Sequence, residues 1–92
     1  MKHYLFLIVA VLNSSIFLAQ SLALYDKDTQ SPVIGAAVYN QDLSVSVISD
    51  FKGIVSLEKF SDSDLVTIQH MLHETVQIYK RDLGHELYLK ST

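Results

Sequence analysis

The chain has no cysteine. No disulfide can therefore staple it, and either its own apolar core or a larger host must hold it together. Basic clusters are also missing. Seven Lys and Arg against ten Asp and Glu leave a net charge of −3, and no local run of cations could displace counterions from phosphates. A nucleic-acid partner is excluded on that ground. Proline occurs once and glycine three times, and Pro32, Gly35 and Gly53 all fall within residues 32–57. Internal repeats and low-complexity tracts are absent. The spacing of Ser, His and Asp points to no nucleophilic triad, an arrangement that geometry rather than order defines. Ninety-two residues allow one small domain at most.

The N-terminus reads as a separate unit. Lys2 and His3 form a short basic start, an unbroken apolar run covers 4–12, and Asn13-Ser14-Ser15 precedes the apolar close Ile16-Phe17-Leu18-Ala19. This is the order of a secretory signal peptide, expected over 1–19 with cleavage after Ala19. Cleavage after Ala23, with Ser21 at the small position, fits the small-residue rule better but would remove the first strand. The run is marginal for a membrane span, and polar residues sit in its middle. The expected product is an exported domain over 20–92.

That remainder alternates short apolar runs with turn chemistry. Strands are expected at 21–25, 36–40, 44–49, 54–58, 65–71, 74–79 and 86–90. The period of two turns Leu22 and Leu24, Ala36 and Val38, Val55 and Leu57, Val66 and Ile68, and Leu87 and Leu89 inward. Pro32 fixes φ and lacks a donor, so it belongs in the loop feeding a strand. Gly35 can supply a bend at the entrance of the next strand. Asp50-Phe51-Lys52-Gly53 carries the residues of a type I turn. Seven regularly spaced strands predict an all-β fold, a Greek-key sandwich of transthyretin-like or immunoglobulin-like type.

Three elements carry a family resemblance. They are Asp26-Lys27-Asp28-Thr29 after the first strand, Pro32-Val33-Ile34-Gly35-Ala36-Ala37-Val38, and Ser49-Asp50-Phe51-Lys52-Gly53. In this order the chain resembles the carboxypeptidase-regulatory-like domain, whose pattern is D-x-x-T, then P-x-x-G-A-x-V, then T-D-x-x-G. In Bacteroidetes-type bacteria that domain often forms the N-terminal periplasmic extension of TonB-dependent outer-membrane receptors. The motif positions are Pro32, Gly35, Ala36, Val38, Asp50 and Gly53. A late S-x-x-G-Y element is replaced here by Gln69-His70-Met71-Leu72-His73-Glu74, with Leu72 where Gly would allow a positive φ, so a different bend is expected at that corner. The resemblance implies a non-catalytic periplasmic interaction module, without cofactor, that docks on a receptor plug or a periplasmic protein. A stand-alone exported sandwich that binds carbohydrate or protein at the cell envelope is the alternative.

Individual candidates fit that picture. His70, His73 and Glu74 cluster in sequence, and His85 lies further on. A metal centre would need three of them to converge. Residues three apart on a strand face opposite ways, so the histidines are expected at the surface or at a corner, with no metal. Asp42, Asp50, Asp62 and Asp64 sit in turns, where carboxylates cap backbone amides. The loop 61–64 lacks the Gly and distal Glu of a calcium loop. Tyr25, Tyr39, Tyr79 and Tyr88 could form an aromatic surface or pair across strands. Tyr39 and Tyr79, out of phase with Val38 and Ile78, are predicted to face outward as an interaction surface.

Overall fold

A computed structural model describes residues 20–92; the expected signal peptide at 1–19 lies outside the described residues. The order of elements is β1 (Ser21–Asp26), β2 (Ala37–Tyr39), β3 (Ser46–Ile48), β4 (Ile54–Ser56), β5 (Leu65–His70), β6 (His73–Tyr79), a 3-10 turn (Lys80–Asp82) and β7 (Glu86–Leu89). The protein is all-β in two sheets, one ordered β4-β1-β7 and the other β3-β2-β5-β6. β1 runs antiparallel to β4 and parallel to β7. The neighbours in the larger sheet are all antiparallel.

Alternation decides what is buried. Leu22 and Leu24 of β1, Val38 of β2, Val66 and Ile68 of β5 and Leu89 of β7 join Val33, Ala36, Val55, Leu57 and Phe60 in one apolar cluster. Every inward pair named from the sequence is represented, although Leu87 packs only half-buried at its edge. Each fully buried Leu, Ile, Val or Phe contributes roughly 1.5–3 kcal/mol through removal of apolar surface from water. Without disulfides, this cluster carries the fold.

Turn chemistry fixes how the strands enter the core. Asp26 Oδ1 accepts from the amides of Asp28 and Thr29, both at 2.9 Å, and holds the turn after β1. Pro32 then bridges back to Tyr25, and Val33 N donates to Leu24 O at 2.9 Å. Gly35 has φ +75° and Gly53 φ +77°. A Cβ on Gly53 would stand 2.5 Å from the Leu24 carbonyl oxygen, so that turn tolerates no side chain. Asp50 closes the same turn: Gly53 N donates to its carbonyl at 2.9 Å, and Oδ1 accepts from Lys52 N and Ile54 N. The buried Ser49 hydroxyl takes the Ala36 amide at 2.8 Å and donates to Val33 O at 2.7 Å.

The structure corrects the sequence reading at several boundaries. β2 begins at Ala37 and β3 at Ser46, while Ser44 and Val45 are tied back to the Asn40–Asp42 turn by side-chain bonds. β4 ends at Ser56 and β7 at Leu89. β5 stops at His70 and β6 starts at His73, leaving Met71 and Leu72 as a two-residue turn. The non-glycine residues with positive φ among those described are Gln30 and Leu43. Leu72 therefore does not take a left-handed backbone.

Candidate functional site

The inward stripes do not end in apolar residues. They end in polar ones, at both ends of the core. Continuing the period of two, Leu22-Leu24 leads to Asp26, Val66-Ile68 leads to His70, and Leu87-Leu89 leads to Ser91. At the opposite end, Ala36-Val38 leads to Asn40, and Asp64 precedes Val66.

His73 joins the first of these layers through a bulge. β5 and β6 pair Ile68 with Val76 but His70 with His73, a register shift of one residue. The extra residue reverses the alternation of β6, so His73 points inward and is buried while Glu74 is exposed. This overturns the expectation that His70 and His73 face opposite ways, and it separates Glu74 from both. Of the two expected placements, surface or corner, His73 takes the corner, and it is buried there at 9% exposed. His73 Nε2 lies 2.7 Å from Asp26 Oδ2, and its Nδ1 lies 2.9 Å from His70 Nδ1. The remaining nitrogen of His70, Nε2, is 3.1 Å from the Ile34 carbonyl oxygen. Ser91 Oγ donates to Asp26 Oδ2 at 3.0 Å. The Asp26 carboxyl is held far below the usual carboxylate range, first by the Thr29 amide, then by His73 and then by Ser91. One constellation thus joins the end of β1, the β5–β6 turn, the loop before β2 and the C-terminal segment.

The second layer is built from amides. Buried Asp64 accepts at Oδ2 from Ser61 N at 2.8 Å and from Asn40 Nδ2 at 3.5 Å, and at Oδ1 from Gln41 Nε2 at 3.2 Å. Asn40 also donates to Ser44 Oγ and accepts from Val45 N, and Gln41 Oε1 accepts from Leu65 N. Asp62 turns outward to Lys80 Nζ at 3.1 Å, so the two carboxylates of loop 61–64 serve different partners. Asp42 is lowered below its ordinary range by the Ser44 hydroxyl and amide. Every fully buried side-chain N or O atom among the described residues has a hydrogen-bond partner.

The aromatic candidates split between the two sheets. Tyr25 and Tyr88 pair in register across β1 and β7, with ring centroids 5.5 Å apart and stacked. Tyr39 and Tyr79 lie on the outer face of β3-β2-β5-β6, in alternation with Val38 and Ile78. They do not touch, because β5 runs between their strands. Tyr39 is half-buried and donates to Gln69 Oε1 at 2.9 Å, while Tyr79 is exposed beneath the Arg81 guanidinium, 4.8 Å from the ring centroid. His85 is exposed and contributes its carbonyl oxygen to Ala23 N. No group of three His, Cys, Asp or Glu placed to hold a metal ion occurs among the described residues.

The motif residues Pro32, Gly35, Ala36, Val38, Asp50 and Gly53 shape backbone around the core, whereas the Asp26–His73–His70–Ser91 layer escaped sequence reasoning. Its signal was present in the alternation, since each inward stripe runs on by one polar residue. Comparison with protein-family models, with curated proteins and with solved structures gave no match.

Proposed function

We propose that this protein is a non-catalytic interaction module of the cell envelope. In this reading residues 20–92 form a Greek-key sandwich of the carboxypeptidase-regulatory-like kind, exported by the 1–19 leader and placed ahead of the plug of a TonB-dependent receptor. The observation that carries the reading is the division of labour among side chains. The turn carboxylates Asp26, Asp50 and Asp64 each accept backbone amides, whereas large apolar side chains stand exposed. Ile34, Leu43, Ile48, Phe51, Met71 and Leu72 are each more than half exposed. So much apolar surface on a small domain suits contact with another protein. Docking uses the outer face of β3-β2-β5-β6, where Tyr39 and Tyr79 stand. The motif chemistry adds support, because Gly35, Asp50 and Gly53 occupy positions whose backbone geometry calls for those residue types.

The test is a photo-crosslinking amino acid placed at Tyr39 and at Tyr79, each in the full chain expressed in its native host. Crosslinks to a receptor plug or another periplasmic protein, on product starting at Gln20, are expected. Product retained inside the cell with its leader intact, or crosslinks to no protein from either position, would contradict the proposal.

A further inference from the structure

The hydrogen-bond chain from Ile34 through His70 and His73 to Asp26 has acceptor-only groups at both ends. A backbone carbonyl can only accept, so His70 Nε2, at 3.1 Å, must carry hydrogen. The Asp26 carboxyl is ionised over the whole neutral range, so His73 Nε2, at 2.7 Å, must carry hydrogen as well. Two bare Nδ1 lone pairs would then face each other at 2.9 Å. That contact is attractive only with a third proton between them. Three protons on four ring nitrogens make the two imidazoles together a monocation.

We infer that the His70–His73 pair is a one-proton latch, which fastens the β5–β6 turn and the C-terminal segment to the end of β1 while protonated and releases them when the proton leaves. The third proton resides on His73 Nδ1, because Leu72 N also donates to His70 Nδ1, at 3.3 Å, and marks that atom as the acceptor. His73 is then an imidazolium bonded at both nitrogens and covered from solvent. The same Leu72 amide points where a metal ion on His70 Nδ1 would need open space, which favours a proton over a cation of higher charge.

Asp26 is the ionised side chain in contact with the pair. Lys27 and Asp28 follow it in the turn after β1, Glu74 follows His73 in β6, and Lys90 precedes Ser91, all with exposed side chains. Their charges nearly cancel, and water screens them. Loss of the proton leaves the Nδ1–Nδ1 contact repulsive, or forces one ring to give up Asp26 or Ile34. The backbone bonds that tie the C-terminal segment to the start of β6 and the turn before it are Glu74 N to Lys90 O at 2.8 Å and Thr92 N to Leu72 O at 3.1 Å. They are the ones released. The edge of β6 is thereby uncovered, an unpaired strand edge of the kind that recruits another chain.

The test is nitrogen-detected NMR of the histidine rings in protein purified after expression of the full chain, with and without a chelator, together with amide exchange at Glu74 and Thr92. At pH 6 the expected result is His73 protonated at both nitrogens and His70 at Nε2 alone, unchanged by chelator. Between pH 6 and pH 9 the two amides should lose protection by about tenfold or more relative to core amides, after correction for intrinsic exchange. His70→Phe, which removes the acceptor from a half-exposed position, should abolish that pH dependence. His70→Gln, which keeps an oxygen for His73 and an N–H for Ile34, should retain it. Two neutral imidazoles at pH 6 would overturn the proposal. So would ring signals that shift on chelator treatment or on adding zinc alone, which would make the pair a metal site, and so would equal pH dependence in wild type and His70→Phe.

Discussion

The two polar layers that close the core are built alike and respond to pH differently. Each places one inward carboxylate where an apolar stripe runs out, and each lets that carboxylate gather the amides of a turn. At the Asp64 end the partners are the amide side chains of Asn40 and Gln41. At the Asp26 end they are an imidazole and a hydroxyl. Amides do not titrate, so the first layer holds unchanged across neutral and alkaline pH. The imidazole pair is fastened only while it shares a third proton, so the second layer is conditional. β5 connects the two, with Asp64 before its first residue and His70 as its last. A single strand thus runs from a permanent fastening to one that depends on a proton.

The largest effect expected from a single change lies outside both layers and serves as their control. Gly53→Ala forces a side chain to φ +77° and onto the Leu24 carbonyl. It should cost about 3 kcal/mol or more, equally at pH 6 and pH 9. A loss confined to one pH would show that the turns and the layers are not separate devices.

Asp64→Ala comes next. Removing a buried acceptor strands the donors of Ser61, Asn40 and Gln41, at about 2–3 kcal/mol. Chemical denaturation should find that loss nearly constant between pH 6 and pH 9. Asp26→Asn acts on the other layer and changes the shape of the profile more than its height. The depressed Asp26 carboxyl contributes stability fully above the ordinary carboxylate range, and that contribution fades as pH falls through it toward the lower folded value. The protonated histidine pair works in the opposite sense: its contribution is full while the pair holds the third proton and fades as rising pH removes it. Wild type should therefore be most stable where Asp26 is ionised and the histidine pair still holds its third proton. Asp26→Asn should lose both flanks, read as thermal midpoints from pH 3 to 9. The smallest effect is that of Tyr39→Phe, which removes an exposed bond to Gln69 and should cost about 0.5 kcal/mol at every pH.

Much of this frame was legible in the sequence. Period-two alternation picked out inward residues in five of the seven strands, because a half-buried strand writes its environment into every second side chain. Asp50 and Gly53 announced a turn, and the structure has one. What stayed hidden depends on partners distant in the chain. The Asp26 to His73 contact spans 47 residues, and the parallel pairing of β1 with β7 joins the first strand to the last. The β6 bulge was hidden for another reason. Without it the alternation assigns Glu74 inward and His73 outward, the reverse of what occurs, and nothing in Glu74-Thr75 marks an inserted residue. The four tyrosines could not be divided between two faces until the sheets were known.

The most direct test compares thermal midpoints from pH 5 to pH 9 in three proteins: wild type, Asp64→Asn and His73→Gln. Wild type should decline as the pH rises past neutrality, Asp64→Asn should decline in parallel from a lower starting value, and His73→Gln should stay flat. A decline in His73→Gln as steep as that of wild type would contradict the difference between the two ends, and with it the claim that one of them is held by a proton.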